Sequence, residues 1–305
     1  MDKKVVSVNT KVLKRITSDI SELGKNIEEL NENGIYWHIN EDNIKEIYLV
    51  ITGSEGTPYA DAPFLFKFEY PEMYPLVPPV GKFCTSDGRT RFNPNLYIEG
   101  KICLSILGTW SGPSWTPVMT IKTVIMSIIA LVMNNEPLRN EPGWENAAKN
   151  EIDDYNNVIE YQSLRHGIIN QLTNCQQCFQ PLLGMMIERF KRDFSKIIDR
   201  IDRNSERIKG VTIIRPRYGN SGSGFEIDYI KLRKEMIELG ERFGVRLEPK
   251  LIEEIKIEEP LLFEGKPITP KIPASNFEVG FMIKFEGDSY MVKENKNGKK
   301  YWRKN

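Results

Sequence analysis

The chain has 305 residues, of which 40% are hydrophobic and 28% charged, a globular composition that excludes a largely disordered or collagen-like protein. Lysine plus arginine equals aspartate plus glutamate at 42 each, so the basic excess expected of a dedicated nucleic-acid binder is missing. Four cysteines are too few for a disulfide-dense scaffold, and free thiols are expected.

The first fifteen residues are charged and lack the apolar core of a secretory signal. The most apolar run, residues 124–133, is well short of the roughly 18 residues that suggest a membrane span. A soluble protein of the cytoplasm or nucleus, with no membrane or nucleic-acid partner, is the expectation.

Leu13, Ile16, Ile20, Leu23, Ile27 and Leu30 recur at helical spacing and predict one amphipathic helix that stops at Asn33-Gly34. β-Branched and aromatic runs at 35–39, 44–52 and 64–70, separated by turn residues, predict an antiparallel meander. Pro71, Pro75, Pro78 and Pro79 then force an extended, stiff connection. Residues 81–118 read as loops and short strands. Helices are expected over 121–133 and about 144–173, the first ended by Asn134-Asn135 and Pro137. Beyond Pro181, long charged helices are expected over 182–208 and 225–243, joined by a flexible, glycine-rich connection at 210–224. The last stretch, 258–305, is punctuated by prolines and carries strand-like runs at 277–285 and 290–293. One helix, a meander, a loop-rich middle and further helices make an α+β protein.

The chemistry concentrates in residues 92–107. Cys103 lies there between apolar neighbours, and its own surroundings permit either an inert buried thiol or a nucleophile. Four pieces around it occur in a telling order. Asn95 precedes Cys103 by eight residues, as the Asn of the His-Pro-Asn motif precedes the active-site cysteine in ubiquitin-conjugating enzymes. Tyr74-Pro75-Leu76-Val77-Pro78-Pro79 resembles that family's Tyr-Pro-x-x-Pro-Pro loop, and Trp115-Thr116-Pro117-Val118 resembles its Trp-Ser-Pro-Ala loop. Glu136-Pro137-Leu138 stands where the family has an acidic residue before Pro-Leu. The long stretch 103–115, together with 140–145, is similar to the large, Z-type branch. The likeness continues more weakly over about 155–243 and does not obviously cover the final sixty or so residues.

The resemblance implies a conjugating core at residues 8–175 with an N-terminal helix, a four-stranded antiparallel meander and C-terminal helices. A helical extension at 176–257 and a small β-rich tail at 258–305 would follow. It implies that Cys103 accepts ubiquitin or a related modifier from an activating enzyme as a thioester, then passes it to a substrate lysine or a ligase. A thiol with pKa near 8.5 is only a few per cent thiolate at neutral pH, but thiolate is intrinsically nucleophilic and the incoming thioester is already activated. No histidine base is strictly required, which matters because the chain has only His38 and His166. The attacking lysine, with a pKa of about 10.4, is neutral in roughly one molecule per thousand at pH 7.4. The resemblance gives Glu136 the task of positioning or deprotonating it, and Asn95 the task of stabilising the oxyanion or holding its loop.

Asn93 replaces the family's histidine, and Ser105 stands where many members have aspartate. Lys14, Arg15, Leu76, Pro117 and Val118 correspond to the face shared by activating enzymes and ligases. No cofactor or metal is implied: Cys175-Gln176-Gln177-Cys178 offers two ligands, short of a zinc set. The basic tail with Tyr301 and Trp302 reads as a solvated terminal β element. A second class of reading is a non-catalytic scaffold of the same fold that binds the modifier or ligases, disfavoured by the retention of Cys103, Asn95 and Glu136. The enzymatic reading expects the Cys103 sulfur to be reachable from solvent through a shallow groove.

Overall fold

The alternation of the meander becomes a sheet of four antiparallel strands in the order β1 (Ile35–Asn40), β2 (Asn43–Thr52), β3 (Pro63–Glu69) and β4 (Val80–Phe83). The structure is a computed structural model and describes residues 10–219, 222–247, 262–263, 266–267, 273–276, 278–285 and 288–304. Register pairs Ile47 with Phe68, Leu49 with Phe66 and Ile51 with Phe64, which puts a continuous apolar layer on one face. The other face is buried too: Val50 and Leu65 have no accessible surface, and Tyr48 meets Phe179 edge-on at 5.4 Å. Two covered faces explain why β2 reads as an almost unbroken apolar run rather than a strict alternation.

The helix ahead of the sheet differs from the expected one. It is broken at Asn26 into α1 (Thr10–Lys25) and α2 (Ile27–Glu32), and its buried stripe is Val12, Ile16, Asp19 and Leu23, with Ile27 exposed. An aspartate takes a core position because Arg15 Nε donates to Asp19 Oδ1 at 2.8 Å and the Tyr74 hydroxyl donates to its other oxygen. Apolar spacing alone could not show this, since a paired carboxylate breaks the pattern.

After the sheet come α3 (Ile121–Ser127), prolonged by a wider turn over Ile128–Val132, and α4 (Lys149–Gln162), which continues through Ser163–Asn170 into α5 (Gln171–Thr173). The second of these helices starts later than predicted. Glu151 Oε2 accepts from the Ala148 N–H at 3.0 Å and caps it there. The extension holds α6 (Gln180–Arg207) and α7 (Tyr229–Arg242).

Two expectations in the extension are corrected. Phe225–Ile227 is not helical but forms β6, paired with β5 (Thr212–Ile214), because Asp228 starts α7 by accepting the Lys231 N–H at 2.9 Å. The 210–224 connection therefore contains a strand, and it is tied to the protein at several points described below.

Internal contacts divide the chain into Met1–Val245 and Arg246–Asn305. In the second unit β7 (Leu262–Phe263) pairs with β8 (Lys266–Pro267), and β9 (Met282–Phe285), β10 (Asp288–Glu294) and β11 (Lys300–Lys304) form a sheet in the order β11-β10-β9. Of the strand-like run 277–285, residue 277 lies outside the described residues. Overall the architecture is the expected α+β one: an N-terminal helical segment, a four-stranded antiparallel sheet, later helices and C-terminal strands. Among the described residues no helix is long and apolar enough to cross a membrane.

Candidate active site

Asn93-Pro94-Asn95 forms a tight turn seated on the core by a buried side chain. The Asn93 Nδ2 group donates to the Val132 carbonyl at 2.6 Å and to the Tyr59 hydroxyl at 2.9 Å, while its Oδ1 accepts the Asn95 N–H at 2.8 Å. Tyr59 in turn donates to the Phe92 carbonyl at 2.7 Å. A side chain of zero accessibility thus has its acceptor and both its donors engaged. Asparagine at this position acts as a structural pin.

The turn presents Asn95 to Cys103. The Cys103 N–H donates to the Asn95 carbonyl at 2.8 Å, and Asn95 Nδ2 donates back to the Cys103 carbonyl at 2.7 Å. One residue therefore holds both polar backbone groups of Cys103. An amide nitrogen carries two hydrogens, and this bond commits one of those of Asn95.

The segment after Cys103 is fixed by Thr109, whose hydroxyl accepts the Leu104 N–H at 2.9 Å and donates to the Ile102 carbonyl at 2.7 Å. The long loop turns back so closely that a Cβ on Gly112, where φ is 134°, would sit 3.1 Å from Ser105 Cβ. Cys103 itself is only 2% exposed, flanked by the buried Ile102 and Leu104. This low exposure departs from the open approach expected for the thiol: both backbone groups are tied to Asn95 and both chain neighbours are buried, so the residue sits among core positions.

Glu136 occupies a different environment. Its backbone N–H donates to Asn134 Oδ1 at 3.0 Å, and its carboxylate, 47% exposed, pairs with Arg139 at 2.8 Å. Asn134 also donates to Asn140 Oδ1 at 3.0 Å, which knits the Glu136 loop to the segment that follows.

The pieces of the expected partner face come together around α1. Arg15 donates to the Met119 carbonyl at 2.6 Å and to the Pro117 carbonyl at 2.6 Å, and Trp115 Nε1 donates to the Pro75 carbonyl at 2.8 Å. Leu76 and Val118 are left 70% and 86% exposed, and Lys14 on α1 is exposed as well. Arg15, expected as a contact residue, is engaged within the chain as a clamp between helix and loop. Its fixed planar donors suit that role, since two carbonyls and a carboxylate are held at once.

His38 lies on β1 opposite Tyr48. His166 lies against Phe92 with a buried, unpartnered Nε2, and burial holds its pKa below the ordinary value. Among the described residues no group of three or more His, Cys, Asp or Glu side chains could hold a metal ion. Sequence reasoning missed Arg91 and Tyr155, which support the Asn-Pro-Asn turn: Arg91 Nη2 donates to the Pro94 carbonyl at 2.7 Å, and the Tyr155 hydroxyl to the Arg91 carbonyl at 2.6 Å. The only signal available was their proximity to the turn in sequence, and Tyr155 lacked even that.

Comparison with known proteins places this geometry in context. The family profile described as ubiquitin-conjugating enzyme matches residues 15–164. Human ubiquitin-conjugating enzyme E2 Z is 36% identical over 201 residues, covering 64% of this chain and 55% of its own. The Xenopus tropicalis protein of that name is 40% identical over 150 residues, covering 48% of each chain. A probable ubiquitin-conjugating enzyme from Acanthamoeba polyphaga mimivirus is 34% identical over 191 residues, covering 59% of this chain and 13% of its own. The chain spans about half the length of the E2 Z relatives it matches.

Proposed function

Residues 15–164 of this chain belong to the ubiquitin-conjugating enzyme family, close to the E2 Z type, and from that premise we propose that Cys103 carries ubiquitin, or a related modifier, as a thioester. The observation that carries the reading is the two-way bond between Asn95 and Cys103. It sets an amide donor beside the carbonyl of the very residue that must present the acyl group.

In the loading step the Cys103 sulfur attacks the thioester carbonyl of the activating enzyme's adduct. A new C–S bond forms, the old one breaks, and the departing thiol takes the proton. Discharge reverses the roles: a neutral amine attacks, a C–N bond forms, the C–S bond breaks, and the proton shed by the new amide nitrogen goes to the departing sulfur. The free hydrogen of Asn95 Nδ2 stabilises the oxyanion in both steps, because a donor already fixed in place costs no reorganisation. Glu136 contributes charge rather than tight contact, drawing the acceptor ammonium to the site and receiving its proton. Leu76, Pro117, Val118 and Lys14 form the docking face for the activating enzyme and for ligases.

Because Cys103 is only 2% exposed, loading requires a local movement that brings the sulfur to the surface. Incubation with activating enzyme, ATP and ubiquitin tests the reading: a reductant-sensitive adduct is expected, and Cys103→Ala removes it. A wild-type chain that forms no adduct with any activating enzyme and modifier favours the non-catalytic scaffold.

A further inference from the structure

The glycine-rich connection between β5 and β6 returns to the conjugating core beside the Asn-Pro-Asn turn. It is anchored at both ends. Arg217 donates to Glu151 and lies over the Trp144 ring at 5.7 Å, and Arg89 donates to the Gly224 carbonyl and lies over the Phe225 ring at 4.6 Å. Between the anchors, Tyr218 packs edge-on against Trp144 at 6.1 Å and against Tyr155 at 5.9 Å, and its hydroxyl donates to Glu141 Oε2 at 2.9 Å. The next residue, Gly219, has φ 69°, and a Cβ there would lie 3.2 Å from Arg91 Cβ, so the strap touches Arg91 directly.

Arg91 is the link to the thiol. Its guanidinium donates to the carbonyls of Pro94 at 2.7 Å and Asn93 at 3.2 Å, and it stacks 3.4 Å above the Tyr97 ring. Those two carbonyls belong to the turn that aims Asn95 at Cys103. Glu141, at the other end of Tyr218, follows Asn140, which is bonded to Asn134, the residue that holds the Glu136 N–H. Tyr218 therefore bridges the loop that carries Asn95 and the loop that carries Glu136. It lies beyond residue 164, where the family match ends.

We infer that Tyr218 is a positioning residue for acyl transfer: acting through Arg91, it fixes the Asn93–Asn95 turn against the loop after Glu136, so that the extension sets the geometry at Cys103. The inference rests on the proposed function. A displacement of about an ångström in such a turn is enough to slow a reaction that depends on aimed donors.

The test is single-turnover discharge of the Cys103–ubiquitin thioester onto free lysine, with lysine concentration varied. Tyr218→Ala is expected to lower the rate at saturating lysine by about tenfold and leave the half-saturating concentration unchanged. Tyr218→Phe keeps the ring contacts and recovers the rate to within about threefold. In an Asn95→Ala background, Tyr218→Ala is expected to cost nothing further, because its effect passes through Asn95. Arg91→Lys, which cannot hold both carbonyls, reproduces the loss with the strap intact and decides the matter if Tyr218→Ala melts without cooperativity. Discharge at the wild-type rate, or a loss that multiplies in full with Asn95→Ala, overturns the inference. A wild-type chain that forms no thioester refutes the proposed function instead.

Discussion

The Asn93–Asn95 turn and the Glu136 side chain are held on opposite principles. The Asn93–Asn95 turn is pinned by a buried amide with every hydrogen-bonding group used, backed by Arg91 and Tyr155. The Glu136 side chain stands at the surface, 47% exposed and paired with Arg139, on a loop seated by the buried Pro137 and Leu138 and by Asn156 Nδ2 donating to the Asn135 carbonyl at 2.9 Å. Under the proposed function the difference would suit the two roles: oxyanion stabilisation depends on a donor fixed in advance, whereas an acceptor lysine arriving on varied substrates would be served by a solvated charge with some freedom.

If the contrast is right, substitutions in the first loop cost far more than those in the second. Asn95→Ala is expected to slow discharge of the Cys103 thioester by about a hundredfold with little change in the melting temperature, measured in single-turnover assays and by calorimetry. Asn93→Ala removes the short bond to the Val132 carbonyl, the bond to the Tyr59 hydroxyl and the acceptor of the Asn95 N–H, and is expected to cost about 3 kcal/mol of stability in denaturant unfolding. A loss below roughly 1 kcal/mol would mean that the turn is not pinned as described.

Glu136→Gln is expected to reduce lysine discharge by about fivefold and leave loading by the activating enzyme unchanged, since an exposed charge near Arg139 contributes only about 1 kcal/mol. Equal losses in both steps would contradict an acceptor-side role. A separate effect, on stability and not on discharge, lies away from both loops. Burial opposes ionisation of Glu46, but hydrogen bonds from Tyr48, Asn40 and Lys67 outweigh it and hold the group at about 2, below its ordinary 4.5. Its folded value is depressed, so its stabilisation is complete above pH 4.5 and is lost as pH falls towards 2. Acid titration of wild type and Glu46→Gln should converge across that window.

Much of the core was readable because its signals are local. The aromatic alternation in residues 64–68 predicts β3, and the interval from Asn95 to Cys103 picks out the pair that the structure bonds together. What escaped is non-local or polar. Asp19 stands in an apolar stripe because Arg15 and Tyr74, 55 residues apart from Asp19 in the second case, neutralise it. Residues 225–227 carried no break that distinguished a strand from the helix behind it until the pairing with β5 was visible. Tyr218 reads as one aromatic residue in a glycine-rich connection, and its contacts with Trp144 and Tyr155 span more than sixty positions. The low exposure of Cys103 is likewise something that spacing does not report.

The most direct measurement is mass spectrometry of the chain after incubation with activating enzyme, ATP and ubiquitin, with and without reductant. A single reductant-labile ubiquitin on the peptide containing Cys103, absent from Cys103→Ala, is the predicted result. Labile ubiquitin on Cys84, Cys175 or Cys178, or an adduct that survives Cys103→Ala, would contradict it.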